Sequence, residues 1–217
     1  YIDNDISLLK IDEDLNEILK KQNIFQSDYN LNGTSTFIKT SNERLVFNQS
    51  FENESVNNYL NYLIKTDSEG ELIWSKTYGD TSFYTRTLIE THDMGFLIIG
   101  HQNYRTIRME KLDQNGDLEF TNSIDMNSLI EPKSITKTDD GFILLSNYSL
   151  GTNFVDSDLM LMKLNFNGDE IWRKIFDESS RMWGEYIGNT PDGGFILLCT
   201  VDDSILVIKT DPFGEIN

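Results

Sequence analysis

One ten-residue pattern returns along this 217-residue chain and restricts its fold more than any other feature. "KTDSEGELIW" at 65–74 comes back as "KLDQNGDLEF" at 111–120 and "KLNFNGDEIW" at 163–172. The lysine recurs as Lys10, Lys65, Lys111, Lys163 and Lys209, spaced 55, 46, 52 and 46 residues apart. Five residues further on stand Gly70, Gly116, Gly168 and Gly214, with Leu15 the one departure. Nine residues on stand Leu19, Trp74, Phe120 and Trp172. A second pattern, "DMGFLIIG", "DDGFILLS" and "DGGFILLC", repeats around Gly95, Gly141 and Gly194, with Glu43 of "NERLVF" placed in the same register. Self-similarity at such a period means that each unit is one small element that must stack on its neighbours to bury a core.

Each unit reads as four short strands. The opening pattern is a hairpin with a D-x-x-G turn, and its glycine falls where the turn closes at positive φ. The terminal Trp or Phe is expected to pack on a neighbouring unit. The second hairpin carries an apolar run such as "FILLC", the signature of a strand covered on both faces. No segment shows a helical period. Four-stranded units of about 46–55 residues predict an all-β chain, a β-propeller of four-stranded antiparallel blades. The expected single domain spans 1–217, in repeats at 5–32 (a half blade), 33–78, 79–124, 125–176 and 177–217. That makes about four whole blades and one half. The segment either closes on itself or is an arc excised from a larger ring. Closure is the favoured expectation, because an open arc leaves two apolar blade faces bare.

With those units in hand, a resemblance can be named. "IWSKTYGD" at 73–80, "TPDGGFILL" at 190–198 and "DLMLMKLNFNG" at 158–168 resemble the repeats of secreted bacterial β-propellers of the Bacteroidetes type. The resemblance implies an exported, non-catalytic module at the cell surface or outside the cell. It does not specify a ligand.

Composition narrows the partners. With 36 acidic against 18 basic side chains the net charge is −18, which argues against nucleic acid and anionic membrane surfaces. No apolar run reaches the roughly 18–20 residues of a spanning helix, so no membrane insertion is expected. Cys199 is the single cysteine and cannot form an internal disulfide. Only His92 and His101 could join it in a metal site, and they lie in different loops, so neither metal nor cofactor is expected. The D-x-x-G aspartates suggest calcium, but an Asp in such a turn normally bonds its own backbone.

Function is sought where the repeats differ. With the four strands of a blade lettered A to D in chain order from its inner strand, the stretches "NQSFENESVNNYLN" and "NYSLGTNFVDSD" lengthen the B–C loops of alternate blades, and propeller topology puts them on one face with the D–A segments "YGDTSFYTR" and "FDESSRMWGEY". Counting back seven residues from Thr91 and from Thr190 puts Tyr84 and Trp183 at the same place in their blades. Tyr84, Arg86, Tyr104, Arg105, Asp177, Arg181 and Trp183 are the candidate binding residues, flat rings and arginines amid acidic surroundings, suited to a glycan, peptide or protein ligand. Other domains of a longer chain are a further class of partner.

No catalytic residues are predicted. There is no G-x-S-x-G elbow and no phosphate loop. Asp67, Gly70 and Trp74 miss the Asp-box of sialidases by one residue at each step. The leading expectation is therefore a non-catalytic binding module rather than an enzyme. The alternative is a carbohydrate-active hydrolase with a carboxylate pair in the central funnel, and a third reading is a structural spacer.

Overall fold

A computed structural model describes residues 5–26, 35–53, 58–177, 181–202 and 204–216. Every regular element among them is a strand, and the sheets follow the chain in order. The half blade pairs β1 (Asp5–Ile11) with β2 (Glu17–Gln26). Blade 1 is β3 (Ser35–Lys39), β4 (Leu45–Asn53), β5 (Asn58–Thr66) and β6 (Leu72–Tyr78). Blade 2 is β7 (Tyr84–Glu90), β8 (Phe96–Gln102), β9 (Thr106–Leu112) and β10 (Leu118–Asp125). Blade 3 is β11 (Leu129–Thr138), β12 (Gly141–Ser149), β13 (Asp158–Leu164) and β14 (Glu170–Phe176). Blade 4 is β15 (Met182–Asn189), β16 (Phe195–Val201) and β17 (Ser204–Thr210), with an isolated Thr210–Ile216 bridge where a fourth strand starts. Each sheet is an antiparallel meander, and the sheets are the blades of a propeller.

The repeated letters are explained by contacts. In the D-x-x-G turns the aspartate accepts backbone N–H bonds: Asp67 takes those of Glu69 and Glu71, each at 2.9 Å, and Asp113 those of Asn115 and Asp117. Gly116 sits at φ +80°, and a Cβ there would come within 2.9 Å of the Trp74 ring of the preceding blade. Gly214 stands in the same way on Trp172. Turn glycine and terminal tryptophan are thus two halves of one inter-blade contact. The repeated lysine crosses to the turn of the second hairpin: Lys111 meets Asp93 at 2.9 Å, and Lys163 and Lys209 meet Asp140 and Asp192.

Two expectations are corrected. Glu43 lies at φ +64°, as does Met94, and each donates to the carbonyl three residues back. Glu43 therefore matches Met94, and Arg44 occupies the glycine anchor. Closure is the second. Ile196, Leu198, Ile205 and Val207 on the outer face of blade 4 are 39, 40, 76 and 56% exposed. Their equivalents Ile143, Leu145, Leu159 and Leu161 in blade 3 are fully buried against β15. Nothing among the described residues covers the blade 4 face, and Leu9 and Ile11 at the other end are bare as well.

Candidate functional site

The innermost strands β7, β11 and β15 each break register once, at Arg86, Lys133 and Glu185. A bulge re-aims the side chain it carries, and here it does so at one level of three successive blades. Two residues before each bulge stand Tyr84, Glu131 and Trp183, paired across to His101, Asn147 and Thr200. Arg86 reaches from blade 2 to Glu131 of blade 3 at 2.6 Å, both side chains largely buried. Lys133 repeats the reach from blade 3 to blade 4 and meets the Trp183 ring at 5.1 Å. Glu131 also accepts from Asn147 Nδ2 at 3.2 Å, and Asn147 Oδ1 accepts the Gly184 N–H at 2.8 Å. The carboxylate is held by Arg86 and by Asn147, whose amide is itself fixed by the Gly184 N–H.

The hairpin tips of one blade hold the inner strand of the next. Tyr59 N–H donates to Thr81, Met126 N–H to Arg105, and Met182 N–H to Ser157. This fixes the B–C loops and the D–A segments on one face. Across that face runs a file of rings: Tyr59 to Tyr84 at 4.7 Å, Tyr84 to His101 at 5.3 Å, His101 to Tyr104 at 3.9 Å, Tyr104 to Phe154 at 5.9 Å, and Phe154 to Trp183 at 6.0 Å. Four blades contribute. Beneath Phe154 opens a depression of about 350 Å³ bordered by Tyr104, Glu131, Asn153 and Trp183.

Tyr104 sits there at a conformational cost. Asn103 and Tyr104 have φ of +52° and +53° in a two-residue turn closed by Arg105 N–H on Gln102, a type I′ geometry that favours Asn-Gly. An aromatic residue in that region is unusual, and such strain gathers at functional surfaces. Its ring stacks on His101, whose Nδ1 accepts the Tyr104 N–H at 3.4 Å, while the buried Nε2 finds no partner among the described residues. Burial and then the nearby Arg86 charge hold the His101 imidazole down at about 3.

Of the residues expected from sequence, Tyr84, Arg86, Tyr104, Arg181 and Trp183 stand on this face in one connected group. Arg105 is exposed at the turn and contributes its carbonyl to Met126. Asp177 is exposed beside Asp158, out on the outer strands. Burial, then the charges of Asp177 and Asp156, push the Asp158 carboxyl up. Sequence reasoning missed Tyr59, His101, Glu131, Lys133 and Phe154. The count of seven back from Thr138 lands on Glu131, so the same rule would have found it. Among the described residues no group of three or more His, Cys, Asp or Glu side chains is placed to hold a metal, and no helix is long and apolar enough to cross a membrane.

No protein-family model matches the chain, and no characterised protein matches it in sequence. Solved structures do. A GH43 β-1,3-galactosidase bound to galactodeoxynojirimycin aligns with a TM-score of 0.58 at 11% identity, over 91% of this chain and 81% of its own. An exo-β-1,3-galactanase from Phanerochaete chrysosporium aligns at 0.58 and 10% identity, over 84% of this chain and 47% of its own. An engineered GH43 enzyme with endo-xylanase and exo-arabinofuranosidase activity aligns at 0.52 and 12% identity, over 84% and 39%. At such identity the likeness establishes the fold. The expectation of a non-catalytic binding module that is not an enzyme is corrected by it, since these neighbours are glycoside hydrolases. That expectation rested on missing motifs. Carboxylate catalysis needs none, because separate strands and loops can bring its two acids together without any contiguous signature.

Proposed function

We propose that the protein is a carbohydrate-active hydrolase that lays a glycan along the file from Tyr59 to Trp183, with Glu131 as its axial carboxylate. The observation that carries this is the arrangement itself: six rings in file across four blades, three of them bordering a depression lined by a buried carboxylate that Arg86 and Asn147 hold. Flat rings offer apolar faces to sugar C–H groups, and Tyr104, Phe154 and Trp183 border the depression beside Glu131. The fold shared with galactan- and xylan-cleaving enzymes supports the same reading.

Glycoside hydrolysis uses one carboxylate as base or nucleophile and a second as acid. Glu131 is oriented by Arg86 and Asn147 for the first task. Asp158 is not that acid, because it pairs with Tyr148, which pairs with Ile130, and its side chain therefore lies on the opposite face of blade 3 from that of Glu131. Export from a bacterial cell, implied by the resemblance to secreted repeat propellers, fits a polysaccharide substrate.

The test is release of reducing ends from a panel of galactans, xylans, arabinans and uronate-containing polysaccharides. Turnover of at least one is expected, reduced in Glu131→Gln. Silence across the panel, with binding intact, would overturn the hydrolase reading.

A further inference from the structure

Most cations on this acidic surface are neutralised where they stand. Arg86 meets Glu131, Arg108 meets Asp80 and Glu110, Lys111 meets Asp93 and Glu119, and Arg173 meets Glu170. Lys133 and Arg181 differ. Among the described residues neither has a carboxylate partner, and both lie against one ring, Trp183, at 5.1 and 5.0 Å. The cause of the first is the repeat. The bulge on each inner strand delivers a side chain to the start of the next blade, and Arg86 finds an anion there. Lys133, delivered in the same way, finds an indole. The protein therefore builds half of an ion pair twice and completes it once.

We infer that an anionic sugar residue completes the second pair, its ring on Trp183 and its acid group between Lys133 and Arg181. Resting on the carbohydrate reading, this names the substrate class as acidic rather than neutral. Trp183 separates two depressions, the one containing Glu131 and another of about 250 Å³ lined by Arg181, Thr200 and Asp202. Thr200 adds a hydroxyl, and among the described residues Asp202 is the one carboxylate lining the smaller depression. Glu131 is already matched by Arg86, whereas Arg181 lines the smaller depression and Lys133 lies on the Trp183 ring that borders both. A uronate carboxylate and a sulfate ester share the required chemistry, since each offers acceptor oxygens to a guanidinium and an ammonium.

Titration of oligosaccharides followed by intrinsic tryptophan fluorescence tests this on the intact chain. The probes are oligogalacturonate, a sulfated galactan oligosaccharide and neutral galacto-oligosaccharide of equal length. At least one anionic probe is expected to bind about tenfold more tightly than the neutral one, and to weaken as salt is added. In K133Q/R181Q that preference should vanish, the anionic probe weakening to the affinity of the neutral one while the melting transition stays cooperative. Preference for the uronate assigns the anion as a carboxylate, and preference for the sulfated probe assigns it as a sulfate. Equal affinity for charged and neutral probes overturns the inference and leaves the carbohydrate reading standing. Binding of no sugar removes both.

Discussion

The guanidinium of Arg86 in blade 2 meets the carboxylate of Glu131 in blade 3 at 2.6 Å, largely out of solvent, between the two innermost strands. Removing one partner strands a buried charge. Arg86→Met is expected to cost about 3–5 kcal/mol, with the Arg86→Met/Glu131→Gln pair losing clearly less than the sum of the single changes. Denaturant titration of the four proteins closes the cycle. Strict additivity would mean that the pair is not formed in solution.

Tyr104 occupies a turn position that glycine fills more easily. Tyr104→Gly should leave stability unchanged or raise it by up to about 1 kcal/mol, while weakening glycan turnover severalfold because the ring between His101 and Phe154 is gone. A loss of stability without loss of turnover would assign Tyr104 to packing alone.

Leu159 and Ile205 hold the same repeat position, one covered by the next blade and one bare. Leu159→Ala should cost about 2–5 kcal/mol, and Ile205→Ala should stay within about 0.5 kcal/mol. If the two cost the same, the blade 4 face is covered in solution by something outside the described residues.

Acid should loosen the fold through His101. Its folded value is about 3 against an ordinary 6.5, so the unfolded chain binds the extra proton between those limits. The stabilisation is complete above pH 6.5 and falls as pH drops toward 3, by about 1.4 kcal/mol per unit across that window. Melting curves of wild type and His101→Phe from pH 7 to pH 4 should converge as pH falls. Parallel curves would show that the imidazole is not buried neutral.

Much of the fold was legible because it is written in local chemistry repeated four or five times. The D-x-x-G turn, the lysine that crosses back to the preceding hairpin turn and the glycine resting on a tryptophan are each set by residues close in sequence or one period apart. Glu43 was misplaced because the letters "NERLVF" lack the glycine that marks the turn, and only backbone geometry separates Glu43 from Arg44. The face was partly legible. Tyr84 and Trp183 could be found by counting from a threonine, whereas His101, Phe154 and Lys133 join them through loop conformation and bulges that no spacing records. The chemistry was least legible, since an acid contributed by one inner strand, held by an arginine from another blade, leaves no motif.

The most direct measurement is the rate of reducing-end release by wild type and Glu131→Gln, side by side, on the best polysaccharide of the panel. A hydrolase built on this carboxylate predicts a loss of about 10²-fold or more, with a melting temperature close enough to wild type to show that the variant is folded. A folded Glu131→Gln variant that retains wild-type turnover would contradict Glu131 as the axial carboxylate.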